Sequence, residues 1–94
     1  MVVFLVITKA AEKQLLKAPP EIQIKALSWM DDVRRVGIQT VRMLGGKGLH
    51  DEPLKGSLIG VRSIRLNRSW RLYYVENQVD EIIITIIRID KHVY

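Results

Sequence analysis

A chain of 94 residues is expected to form one domain, residues 1–94, near the lower size at which a single core holds a fold without staples. It contains no cysteine, which excludes a disulfide framework and a thiolate metal site, and its two histidines are a poor basis for zinc, so no metal and no cofactor is expected. The formal charge is +5, from 15 Lys and Arg against 10 Asp and Glu, and it is concentrated in the middle of the chain.

Between Arg42 and Arg71 stand Arg42, Lys47, Lys55, Arg62, Arg65, Arg68 and Arg71 against only Asp51 and Glu52. A local cationic surface suits a polyanion such as RNA or an acidic protein partner, although a plain solvated surface explains the charge alone about equally well.

Val2 to Ile7 is β-branched and apolar and reads as a strand. It is too short to span a bilayer and lacks a cleavage site behind a basic start, so no membrane association is expected and the chain suits the cytoplasm. Thr8 is placed to cap a helix running to about Lys17, with Lys9, Lys13 and Lys17 on a basic face and Ala10, Leu15 and Leu16 as apolar contacts. Pro19-Pro20 ends it, and Pro20 suits the first turn of a second helix. There Ile22, Ala26, Met30 and Val33 form an apolar stripe that Leu27 and Trp29 widen, up to a stop at Gly37. Ile38 to Leu44 adds a helical turn or two before Gly45-Gly46 and Gly48 open a loop that reaches Pro53.

Val61 to Leu66, Trp70 to Glu76 and Glu81 to Ile89 read as strands joined by short polar turns. The run Ile-Ile-Ile-Thr-Ile-Ile has no alternation, which fits a central strand covered on both faces. The order β-α-α-β-β-β predicts an α+β fold, two N-terminal helices packed on one face of a small twisted, mainly antiparallel sheet.

If the turn Asn67-Arg68-Ser69 holds three residues, Leu66 lies opposite Trp70, Ile64 opposite Leu72, and Arg65 opposite Arg71. The apolar four then face the helices, and the two arginines share the other face beside Ser63 and Tyr73 as a like-charge pair. A phosphate between them would offset the repulsion through paired hydrogen bonds. Splaying into water, a carboxylate partner such as Glu76, or a two-residue turn that removes the pairing are the competing readings.

RNA is cut without metal when its 2′-hydroxyl attacks the adjacent phosphate, given a base, an acid for the leaving 5′-oxygen and cations for the developing charge. Glu52, flanked by His50 and Lys55, is a candidate base. Arg65 and Arg71 are candidate phosphate ligands, His92 a candidate acid, and Tyr94 a stacking platform for an unpaired base. Lys47, Arg62 and Arg68 add to the cationic set. Singly, each has a duller explanation as a solvated loop residue or a packed terminal aromatic.

The stretch Gly46-Lys47-Gly48-Leu49-His50-Asp51-Glu52-Pro53-Leu54-Lys55-Gly56, then Leu58 to Leu66 and Trp70-Arg71-Leu72-Tyr73-Tyr74, resembles the centre of YoeB toxins and their RelE and HigB relatives. The terminal His92-Val93-Tyr94 resembles the histidine and tyrosine that close such chains. The resemblance implies a microbial RNase-like fold, ribosome-dependent cleavage of mRNA in the decoding site, and neutralisation by a cognate antitoxin through which operator DNA is bound. It also implies Glu52 as general base, Arg71 as phosphate ligand, Arg65 as supporting cation, and His92 with Tyr94 as acid and stacking pair. YoeB chains end in adjacent His-Tyr; here Val93 intervenes, and in a strand one extra residue moves His92 to the opposite face. A ParE-like toxin that binds DNA gyrase, and a binding module without catalysis, are the alternatives. Glu52, His92 and Tyr94 weigh against the ParE-like reading.

Overall fold

The computed structural model describes residues 3–43, 49–78 and 80–91. Strand β1 (Val3–Ile7) leads into helix α1 (Lys9–Lys17), and the predicted cap is present: Thr8 Oγ1 accepts from the Ala11 amide at 3.1 Å. Ala18 is extended, as a residue before proline prefers, and Pro20 opens helix α2 (Pro20–Val36). Gln23 Nε2 donates to the Ala18 carbonyl at 2.9 Å and so ties the end of α1 to the first turn of α2. Gly37, at φ 86°, turns the chain in a conformation closed to other residues, and α3 (Ile38–Met43) follows at once. The helical turn expected after Gly37 is thus a third helix, with Ile38 and Val41 buried.

The sheet order is β1-β5-β4-β3-β2, with β2 (Glu52–Pro53), β3 (Val61–Arg65), β4 (Trp70–Gln78) and β5 (Ile82–Lys91). β1 pairs parallel with β5 and every other pairing is antiparallel, so the class is α+β. β2 lies in the segment expected to be loop; its two residues carry no alternation that a sequence could show. Among the described residues no helix is long and apolar enough to cross a membrane.

The core forms between the helices and one face of the sheet. Ile22, Ala26, Trp29, Met30 and Val33 of α2 meet Ile64, Leu66, Leu72, Tyr74, Ile84, Ile86 and Ile89, and the Trp29 and Tyr74 rings lie 5.1 Å apart. Three apolar assignments are corrected. In α1 it is Ala11 and Leu15 that are buried, while Ala10 and Leu16 are exposed; in α2 Leu27 is exposed. Helical spacing from Ala11 through Leu15 to Ala18 selects one stripe, and Leu16 lies about 100° off it.

β5 is central, as expected, but helices cover only one of its faces. On the other, Ile83 is 37% exposed, next to Phe4 and Val6 of β1. Burial alternates regularly through Ile82, Ile84 and Ile86, and then the ladder slips: Tyr73 pairs with Arg88 and Tyr74 with Ile86, so Ile87 is an extra residue.

Candidate functional site

The β3–β4 turn holds three residues because Asn67 builds it. Its Oδ1 accepts from the Ser69 and Trp70 amides, each at 2.8 Å, and the Leu66 amide donates to the Trp70 carbonyl at 2.9 Å. That turn fixes Ile64 opposite Leu72 and Arg65 opposite Arg71. Ile64 and Leu72 are fully buried against the helices, so alternation sends Arg65 and Arg71 to the helix-free face. There Arg65 Nε and Arg71 Nη1 are buried atoms without a hydrogen-bond partner among the described residues. Asp90 stands opposite Arg71 in register, yet its carboxylate pairs with Arg88 at 3.3 Å. Glu76, the carboxylate considered as a partner for these arginines, lies on the other face and binds Arg42.

The neighbouring row across the same face reads Glu52, Ser63, Tyr73, Arg88. Glu52, Leu54, Leu58, Ser63, Arg71 and Tyr73 line one open hollow of about 370 Å³. Ser63 is 1% exposed and forms its floor, whereas Glu52 is exposed at its rim. Burial and the charge of Asp90 raise the Tyr73 phenol above its ordinary pKa, against the opposing pull of Arg71 and Arg88, so it is neutral at physiological pH.

Glu52 is positioned by what holds its neighbours. The Leu49 carbonyl accepts from the Arg65 amide at 2.6 Å and the Leu54 amide donates to the Val61 carbonyl at 2.9 Å. Between them Asp51 turns to the helix side, where its carboxylate accepts from the Tyr74 hydroxyl and from Arg62 Nε at 2.7 Å, with Arg42 Nε at 3.5 Å. Arg42 also donates to the Tyr74 hydroxyl and to Glu76. His50 links Leu49 to Asp51 in the left-handed region, at φ 48°.

The structure therefore brings Glu52, Arg65 and Arg71 onto one face and adds Ser63, Tyr73, Leu54 and Leu58 to them. Arg62, assigned from sequence to the RNA-binding set, is corrected: it faces the helix side and is held by Asp51, as its parity with inward Ile64 requires. Arg68 is exposed in the hairpin turn, and His50 and Lys55 are exposed on the segment that carries Glu52; none of the three lines the hollow. Lys47, His92 and Tyr94 lie outside the described residues. Tyr73 was legible as a site residue from its position two along the strand from Arg71. Asp51, Tyr74 and Arg42 meet across 23 and 32 residues, a closure no local pattern announces.

An open hollow with the Arg71 guanidinium in its wall, Arg65 opposite Arg71 in register and a carboxylate at its rim can seat an anion and present a proton acceptor to it. Neither a family model nor a curated protein matches the sequence. Solved structures do. A YoeB/ParE toxin from Agrobacterium tumefaciens is 18% identical with a TM-score of 0.69, covering 96% of this chain and 99% of that one. A chain of the archaeal RelE-RelB complex from Pyrococcus horikoshii is 21% identical with a TM-score of 0.71, covering 97% and 96%. A chain of the heterotetrameric YoeB-YefM toxin-antitoxin complex from Staphylococcus aureus is 21% identical with a TM-score of 0.66, covering 100% of both. With three helices on one face of a mixed five-stranded sheet and near-complete coverage in both directions, this chain has the fold of the RelE and YoeB toxins.

Proposed function

We propose that the chain is the toxin of a toxin–antitoxin pair and cuts messenger RNA on the ribosome by attack of a 2′-hydroxyl on the adjacent phosphodiester. The observation that carries this reading is the opposed pair Arg65 and Arg71, with buried N–H groups left without partners among the described residues, in or beside the hollow that Glu52 borders. Such donors are unfavourable in the free protein and favourable once a phosphate accepts from them.

In the proposed reaction Glu52 takes the proton of the 2′-hydroxyl as its oxygen bonds to phosphorus. Arg71, supported by Arg65, carries the charge of the phosphorane. The bond to the 5′-oxygen breaks, that oxygen takes a proton from His92, and a 2′,3′-cyclic phosphate remains. Tyr94 stacks on an unpaired base. No metal is needed, because the nucleophile belongs to the RNA. The YoeB-YefM neighbour is a toxin-antitoxin complex and the archaeal neighbour a RelE-RelB complex, which supports a cognate antitoxin as partner; in this reading the pair acts in the cytoplasm and reaches operator DNA only through the antitoxin.

Induction of the chain alone is expected to stop growth and to leave translated mRNAs cut at ribosome-bound positions, mapped by primer extension. Arrest with intact mRNA and inhibited DNA supercoiling would replace the nuclease by a gyrase-binding toxin. Harmless expression would leave only a binding module.

A further inference from the structure

The extra residue in β5 shapes the open face beside the candidate site. Inward positions run Ile82, Ile84, Ile86 and then Ile89, a step of three where a regular strand steps by two. The bulge places Ile87 and Arg88 together on the side where Tyr73 stands, and the three line a second hollow of about 280 Å³ with Leu58. Bulges beside functional sites re-aim side chains in this way. Leu58 and Tyr73 also line the hollow that holds Glu52 and Arg71, so the two depressions share a wall.

We propose that this second hollow is a subsite for one unpaired nucleobase of RNA, next to the phosphate held by Arg65 and Arg71. The inference rests on the RNA-cleaving reading. An RNA strand alternates an anionic phosphate with a flat, largely apolar base, and the face offers the same alternation: a guanidinium hollow, then one walled by a ring and two aliphatic side chains. Tyr73 supplies a stacking surface, Leu58 and Ile87 close it, and Arg88 stands at the rim. Arg88 is 59% exposed and pairs with Asp90 at 3.3 Å, an ion pair weak enough to yield to a base or its phosphate.

The test is fluorescence anisotropy with a short labelled RNA whose 2′-hydroxyls are methylated, and a series in which each position in turn is abasic. One position is expected to lose about 10-fold or more in affinity when abasic, the scale of base–aromatic stacking. Ile87→Ala and Leu58→Ala are expected to shrink that penalty to about twofold or less; Leu58 is 48% exposed, so its variant leaves the core intact. Arg71→Ala is expected to weaken every oligonucleotide alike and to keep the penalty. Equal tolerance of all abasic positions, the result if the hollow seats a protein side chain instead, would overturn the subsite. So would a full penalty in both hollow variants, or no binding by the unaltered chain. A chain that shows the penalty but leaves translated mRNA whole keeps the subsite and loses the nuclease; one that cuts mRNA without a penalty does the reverse.

Discussion

The Tyr74 hydroxyl donates to Asp51 Oδ2 at 2.5 Å, joining the residue before Glu52 to a ring packed on Trp29 in the core. Both Asp51 oxygens are engaged, one by Tyr74 and one by Arg62. Asp51 is fixed on the helix side, so Glu52 must emerge on the other. Tyr74→Phe removes the donor and leaves a part-buried carboxylate short of a partner. It is expected to lower stability by about 1–3 kcal/mol in urea unfolding. RNA cleavage should fall further than the folded fraction does, because β2 loses the anchor that aims Glu52. A variant as active per folded molecule as the parent would reduce this contact to a purely structural one.

The same contact gives a pH signature. Burial, and then donation to Asp51, raise the Tyr74 phenol well above its ordinary pKa, with Arg42 pulling the other way. The folded state therefore binds this proton more tightly than the unfolded chain. Its contribution to stability is complete below about pH 10, the unfolded value, and is lost as the pH climbs toward the folded one. Urea midpoints of the parent should decline more steeply above about pH 10 than those of Tyr74→Phe. Tyr73 is shifted in the same direction but is present in both proteins, so the difference isolates Tyr74. Parallel slopes would show that the phenol ionises as it does in the unfolded chain.

His50 separates a backbone role from a chemical one. At φ 48° it occupies a region open to Gly, Asn and Asp and closed to β-branched residues. His50→Gly is expected to be close to neutral in stability, relief of strain offsetting the added freedom of the unfolded chain. His50→Val is expected to cost about 1–2 kcal/mol and to displace Glu52 with it. Full RNA cleavage by His50→Gly would remove the imidazole from the RNA-contacting set; loss of cleavage at unchanged stability would keep it there.

Where the sequence carried a local marker, the structure was legible. Asn67 and the alternation of Ile64, Leu66, Leu72 and Tyr74 determined the hairpin register, and through it the Arg65–Arg71 pair. Thr8, Pro20 and Gly37 marked helix ends. The bulge at Ile87 had no marker, because exchanging one isoleucine for the next leaves the pattern unchanged and only the pairing with Tyr73 and Tyr74 reveals the slip. Arg62 was assigned by residue type, although its parity with Ile64 already pointed to the helix side. Leu16 and Leu27 were read as core because they are apolar, yet both are exposed on the helices.

The arginine pair provides the strongest test, because stability and activity should move in opposite directions. Guanidiniums at directly opposed positions repel by about 0.2–1 kcal/mol, and Arg65 Nε and Arg71 Nη1 are buried without partners among the described residues. Arg65→Met keeps the aliphatic stem and removes one charge, so the melting temperature is expected to rise, by about 4–8 °C for each kcal/mol gained in a domain of this size. RNA cleavage is expected to fall by about 10²–10³-fold, as when a preorganised donor to a transition-state oxygen is removed. Inorganic phosphate should stabilise the parent more than chloride at equal ionic strength, since an anion that binds only the folded state raises its stability by mass action. It should do so far less in Arg65→Met or Arg71→Gln. A less stable Arg65→Met protein with no phosphate effect in the parent would mean that the two arginines serve the fold, and the proposed phosphate site would be lost with them.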